Sequence, residues 1–226
     1  MYKPNDHTTP PARTSSEKAT TSGAKRLIDV VGAFTGLVAT APLTLPAAAA
    51  IRLTMGRPVL FRQLRPGLHG MPFTVMKFRT MVPSVDAEPT AAADESRLTP
   101  VGRFLRRTSI DEIPQLFNVL RGEMSLVGPR PLLLEYLDQY TPEQHRRHSV
   151  KPGITGLAQV AGRQNLAFSR RIALDLQYID GWTLGLDLRI LARTAKQLFR
   201  SDDTNPDTTR GPINDLRDSG THKEGP

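Results

Sequence analysis

The sequence predicts an α/β chain that is mostly helical, and three observations carry that expectation. An uncharged apolar run extends from Val30 to Ile51, two short β-rich stretches flank a turn at residues 66–70, and apolar residues recur at helical spacing after Ile113 and after Asp187. Composition sets the outer limits. Of 226 residues 38% are apolar, enough for one core and too few for a polytopic membrane protein. Lys and Arg outnumber Asp and Glu by 30 to 22, and residues 1–24 and 201–226 hold +1 and −3 of the net +8, which leaves +10 between them. That excess calls for an anionic partner, and nucleic acid, anionic lipid headgroups and phosphorylated substrates all qualify. The chain has no cysteine, so disulfides and thiolate metal sites are excluded.

Residues 1–24 are rich in Thr, Ser, Pro, Lys and Ala with almost no large apolar groups, and nothing there offsets the entropy of ordering; a disordered tail is expected. The segment 201–226 lacks any periodicity and is read the same way, which leaves one domain over 25–200. As a helix the Val30–Ile51 run would reach about 33 Å, enough to cross a bilayer core. Pro42 and Pro46 lie inside it, so a bend near Pro42 is expected rather than a straight rod. Lys25 and Arg26 precede the run and Arg52, Arg57, Arg62 and Arg65 follow it, a distribution that draws both ends to the cytoplasmic side. From the run alone a signal peptide or simple anchor, a re-entrant hairpin and a buried core helix all stay open.

The stretches Pro58–Phe61 and Phe73–Phe78 around Pro66-Gly67-Leu68-His69-Gly70 predict a small β-hairpin, and Val82–Glu95, acidic and marked by Pro83 and Pro89, reads as a loop. From Ile113 the residues Leu116, Phe117 and Leu120 form a helical stripe, with Ser109, Asp111 and Glu112 as caps and Pro114 in the first turn. A second helix is expected over Asp187–Phe199. Its apolar side is Leu188, Leu191, Ala195 and Leu198, and its basic residues suit either an anionic membrane surface or the solvated face of a core helix.

Adjacent acids at a helix start are ordinarily caps that favour the positive end of the dipole. Here they sit among Arg103, Arg106 and Arg107 upstream and two Pro and Gly turns downstream, Gly128-Pro129-Arg130-Pro131 and Lys151-Pro152-Gly153-Ile154-Thr155-Gly156, with Gly162-Arg163 beyond. Such turns hold an arginine fork in place at low entropic cost, as phosphate recognition requires. Two carboxylates in a phosphate site permit two chemistries, a metal held on a diphosphate or nucleophilic attack on phosphorus, and residue physics leaves both open. Walker, GxGxxG, HExxH and GxSxG signatures are all missing, and His145 and His148 lack further ligands for a metal, so they are expected to be structural or phosphate contacts.

Taken together, Lys25-Arg26-Leu27-Ile28-Asp29, Lys77-Phe78-Arg79-Thr80-Met81, Thr108 through Asn118, the two Pro and Gly turns and Gly162-Arg163 resemble the bacterial monotopic phosphoglycosyl transferases in their short, catalytic-only form. The resemblance implies a monotopic membrane protein with a re-entrant N-terminal helix over about residues 27–52 broken near Pro42, a small β-hairpin and amphipathic surface helices, seated on the cytoplasmic face of the inner membrane. It implies transfer of a sugar 1-phosphate from a UDP-sugar to polyprenyl (undecaprenyl) phosphate with release of UMP, through a covalent phosphosugar on Asp111. Glu112 and Mg²⁺ would assist, with Asp111 and Glu112 as the metal-side residues. Lys77, Arg106, Arg130, Arg163 and Asp187 become the expected substrate contacts. No nucleic acid is expected as partner, and a homodimer is compatible with the pattern. The sequence after the PRP turn, Leu132 through Leu137, leans toward N-acetylated amino sugars as donors.

Two departures stand out. Ala41 precedes Pro42 where the family often has Ser, which removes a hydroxyl from the helix break, and Pro46 adds a second break. The expected tail over residues 1–24 also differs from larger relatives that place several membrane spans ahead of the catalytic region. The competing function is a non-catalytic basic module for a membrane surface or nucleic acid, favoured by the +10 middle alone.

Overall fold

A computed structural model of the chain describes residue 19 and residues 22–82, 96–162 and 166–199. The C-terminal tail, most of the N-terminal tail, the loop expected after Val82 and Arg163 lie outside the described residues. The first helix begins at Gly23 because Ser22 caps it: its Oγ accepts from the Lys25 amide at 3.2 Å. That helix, α1 (Gly23–Met55), runs unbroken through Pro42 and Pro46. Beside the prolines, the Thr40 and Thr44 hydroxyls donate to the carbonyls of Gly36 and Ala41, so hydroxyls flank Pro42 although Ala41 has none.

The two ends of α1 are anchored and its middle is not. Ala33 packs with Val75, Val119 and Met124, and Ala47 and Ile51 pack with Phe78 and Leu105. Between and around these contacts Leu27, Phe34, Val38 and Leu45 are exposed, each by 60% or more. Only 11% of the helix's most apolar window is buried, which removes the buried core helix from the alternatives. An apolar stripe of this length is unfavourable in water and fits a helix meant for lipid.

The expected hairpin forms from β1 (Leu60–Pro66) and β2 (Pro72–Phe78), paired antiparallel with Leu60 opposite Phe78 and Pro66 opposite Pro72. It is longer than the sequence stretches that predicted it. Next, α2 (Pro100–Arg107) carries Thr99 as N-cap and Pro at its first position, with Arg106 and Arg107 in the last turn where their charge suits the dipole. A 3₁₀ turn (Ile110–Glu112) leads into α3 (Gln115–Arg121), which ends at Gly122 in the left-handed region.

Sequence periodicity gave no warning of the second sheet, where β3 (Ser125–Val127) pairs parallel with β4 (Gly153–Thr155). Here glycine is required by space. A Cβ on Gly153 would lie 2.1 Å from the Gly128 nitrogen, and one on Gly156 2.3 Å from the Gly128 oxygen. The KPGITG segment therefore serves as a backbone seam that holds the GPRP turn, and presents no arginine itself. Short α4 (Pro142–His145) and α5 (Leu157–Gly162) connect to α6 (Phe168–Asp180) and α7 (Leu184–Phe199). Val127, Tyr178, Ile179 and Ile190 form the core between β3, α6 and α7, each such side chain contributing about 2 kcal/mol by burial.

Candidate active site

The acids predicted as caps turn out to occupy the 3₁₀ turn ahead of α3, and Ser109 caps nothing. Ser109 instead takes a left-handed conformation (φ 57°, ψ 15°) and turns the chain sharply out of α2. From Ile110 onward the chain follows a helical path into α3: the Leu116 and Phe117 amides donate to the carbonyls of Ile113 and Pro114. Asp111 is thereby 93% buried, at the wall of a cleft of about 380 Å³, while Glu112 is not among the residues that line it.

Charge defines this cleft. Among the described residues Arg65, Lys77, Arg79, Arg97, Arg106 and Arg130 line it, and Asp111 is the one carboxylate. Lys77 reaches it from β2 and Arg106 from α2, whose Nε donates to Thr80 Oγ1 at 3.0 Å. Arg130 comes from the GPRP turn. Glu112 Oε1 accepts from Lys77 Nζ at 3.0 Å and from Arg130 Nη2 at 2.7 Å, so one carboxylate oxygen ties two lining cations together. Arg147 fixes the same turn from behind: its Nη2 donates to the Arg130 carbonyl at 2.8 Å while it pairs with Asp175 at 2.7 Å.

Three expected substrate-contact positions thus converge with the dyad: Lys77, Arg106 and Arg130 border the cleft with Asp111, and Glu112 is bonded to two of them. Arg163 lies outside the described residues. Asp187 is elsewhere. It is 97% buried at the start of α7, where Oδ2 accepts from Lys25 Nζ at 2.7 Å and Trp182 Nε1 at 3.2 Å, and Oδ1 accepts from the Tyr178 hydroxyl at 2.8 Å. Burial, reinforced by the Asp187 charge, pushes the Tyr178 hydroxyl up, so it remains a donor. Geometry gives Asp187 a structural place, joining α1 to α7, and none at the cleft.

Sequence reasoning passed over Arg79 and Gln115. Arg79 donates to the carbonyls of Gly56 (2.7 Å) and Arg57 (3.1 Å) and also to that of Met55, gripping the C-terminal end of α1 while lining the cleft. Gln115 could have been found from its nearness in sequence to Asp111, as the first residue of the helix that the acid turn leads into. His148 is buried against Tyr140 and His145 with ring centroids 5.8 and 6.1 Å away and does not line the cleft, which places it in the structural class.

Among the described residues no cluster of three or more His, Cys, Asp or Glu could hold a metal unaided. The two adjacent carboxylates fit a magnesium ion that takes its other ligands from a diphosphate and water, the usual manner for that cation.

Comparison with known proteins agrees with this geometry. Residues 20–201 match the family model described as bacterial sugar transferase. The chain is 51% identical over 178 residues to an uncharacterized sugar transferase, EpsL, of Bacillus subtilis, covering 79% of this chain and 88% of that one. It is 48% identical over 188 residues to a UDP-glucose:undecaprenyl-phosphate glucose-1-phosphate transferase of Caulobacter vibrioides (79% and 70% covered), and 44% identical over 185 residues to an enzyme of the same name from Klebsiella pneumoniae (77% and 40% covered). A basic cleft around a buried aspartate, beside an apolar helix left uncovered, is thus found in a chain that belongs to the bacterial sugar transferase family.

Proposed function

We propose that this protein transfers a sugar 1-phosphate from a UDP-sugar to undecaprenyl phosphate, releasing UMP. The observation that carries the reading is a buried lining carboxylate, Asp111, in a cleft to which the described residues contribute six basic side chains. A diphosphate is the ligand such a lining neutralises, and family membership, with relatives named for this reaction, points the same way. In the proposed first step an Asp111 carboxylate oxygen forms a bond to the sugar-bearing phosphorus. The bond from that phosphorus to the bridging oxygen breaks, and UMP leaves with the electron pair. In the second step an undecaprenyl phosphate oxygen attacks the same phosphorus, and the Asp111 carboxylate departs. Both steps accumulate negative charge on phosphoryl oxygens, where Lys77, Arg106 and Arg130 would meet it.

Asp111 and Glu112 would hold Mg²⁺, which when bound supplies charge neutralisation that lets a carboxylate approach the diphosphate. Glu112 would also keep Lys77 and Arg130 at fixed distance from the reacting phosphorus. The re-entrant arrangement, with α1 bent near Pro42 and both ends on the cytoplasmic leaflet, belongs to the same proposal; basic residues at both ends and the packing of both ends on one domain support it.

The test is UMP release by purified protein in nanodiscs with Mg²⁺, undecaprenyl phosphate and a donor panel. UDP-glucose and UDP-galactose come first because relatives are named for glucose and galactose, ahead of the N-acetylated amino sugars toward which the sequence leans. With the accepted donor alone, the intact mass of the protein should rise by one phosphosugar, and Asp111→Asn should lower turnover by about a thousandfold or more, the scale for losing a nucleophile. Failure of every donor to yield UMP, or full turnover in Asp111→Asn, would sink the proposal.

A further inference from the structure

Two buried amides on α3 differ in what they find. Asn118 is fully enclosed, and its Nδ2 donates to the Thr74 carbonyl at 2.7 Å and to Glu123 Oε2 at 2.6 Å while Oδ1 accepts from the Met76 amide at 3.2 Å. That side chain is satisfied within the protein. Gln115, less than one turn earlier, is 98% buried, lines the cleft, and has an Nε2 with no hydrogen-bond acceptor. A buried donor left unmade is costly, so native chains seldom keep one without a use. Arg79 Nε is a second buried donor at the cleft in the same condition. Among the described residues no buried side-chain acceptor bordering the cleft is left unmatched. The cleft therefore presents donors in want of an acceptor-only ligand.

Position selects which oxygen is meant. Asp111 and Gln115 line the same cleft, one from the 3₁₀ turn and the other from the first residue of α3 four positions later. We propose that Gln115 Nε2 donates a hydrogen bond to a non-bridging oxygen of the phosphoryl group that Asp111 receives, a substrate contact in both half-reactions. This rests on the proposed phosphosugar transfer and extends it. A neutral donor suits that place, since it holds the phosphoryl oxygen without pairing with the Asp111 carboxylate that must attack.

The experiment compares wild type, Gln115→Met and Gln115→Glu in nanodiscs with Mg²⁺ and UDP-glucose, or whichever donor the wild type accepts. Adduct formation is read by intact mass without acceptor, and UMP release with undecaprenyl phosphate. Met keeps the volume and removes the unmatched donor. Its melting temperature should equal or exceed wild type, while the adduct forms about 100-fold more slowly, the loss typical of an oxyanion donor. Glu keeps the shape and places a carboxylate at the phosphoryl group, and it should be at least as impaired; if the Met variant cannot be purified, Glu decides by the same criterion. Adduct formation within threefold of wild type overturns the assignment. So does a loss confined to the acceptor step, or a fall in the Met variant's melting temperature of more than about 5 °C, which would mean the amide has protein partners after all. Wild type that releases no UMP from any donor sinks the proposed transfer itself, a result distinguishable from these.

Discussion

Asp187 and Asp111 are both buried aspartates near the start of a helical segment, and they end in opposite situations. Around Asp187 the protein supplies every partner: one ammonium, one phenol and one indole converge on it, and Lys25 also donates to the Val127 carbonyl at 3.1 Å. That network is matched charge for charge. Around Asp111 the described lining residues hold more cations than carboxylates, and two buried donors, Gln115 Nε2 and Arg79 Nε, have no acceptor. A closed network fixes the fold whether or not a ligand is present, and an open one is completed only by something brought from outside. Residue type and burial do not separate the two; the balance of partners does.

The largest effect on stability should come from opening the closed network. Asp187→Asn leaves the Lys25 ammonium buried beside a neutral amide, and unfolding free energy should fall by about 3–5 kcal/mol, a drop in melting temperature of about 10 °C. Turnover per folded molecule should stay within about threefold, since the fault lies away from the reacting phosphorus. An unchanged melting temperature with a raised KM for the UDP-sugar would reverse the assignment and restore Asp187 as a substrate contact.

A smaller effect, and one that depends on pH, belongs to His148. Neither ring nitrogen makes a well-formed hydrogen bond, and burial, aided by the adjacent Arg147 charge and opposed by the His145 carbonyl, pushes its pKa down to about 4. Between that value and the ordinary 6.5 the unfolded chain binds a proton that the folded chain does not. The contribution is therefore fully present above pH 6.5 and is lost as the pH falls toward 4, by about 2–3 kcal/mol. In His148→Phe the loss of stability between pH 7 and pH 4.5, measured by urea unfolding, should shrink by that amount. An identical slope in the two proteins would show that His148 titrates normally.

Much of the site was legible in the sequence because its motifs are local. The Asp111-Glu112 pair, Lys77, Arg106 and Arg130 each stand in short segments whose turn chemistry or helix ends dictate their placement. What sequence missed depends on distant packing. The stripe expected on the last helix, with Leu188 on its apolar side, is rotated: Leu188 is 55% exposed, whereas Asp187 and Ile190 are 3% and 1% exposed. No periodicity would place a carboxylate on the buried face, because the reason is Lys25, some 160 residues away in sequence. The parallel pair β3 and β4 escaped notice for a related reason, since three-residue strands leave no pattern and the glycine seam between them reads as turns.

The smallest expected change in stability falls on Arg130, and it sharpens the contrast most. Its pair with Glu112 is partly exposed, with side-chain exposures of 25% and 20%, so solvent screens the attraction and Arg130→Met should cost less than about 1 kcal/mol. The position of the turn would survive, because Arg147 holds the backbone carbonyl of Arg130 and leaves its side chain out of that contact. Function should respond far more: KM for the UDP-sugar should rise about tenfold, since one cation facing the diphosphate is gone, although Glu112 keeps its bond to Lys77. Arg130→Lys restores charge without the planar fork and should recover part of the loss. If Arg130→Met instead unfolded the protein and left KM unchanged, the open network would be as structural as the closed one, and the excess of positive charge would need another explanation.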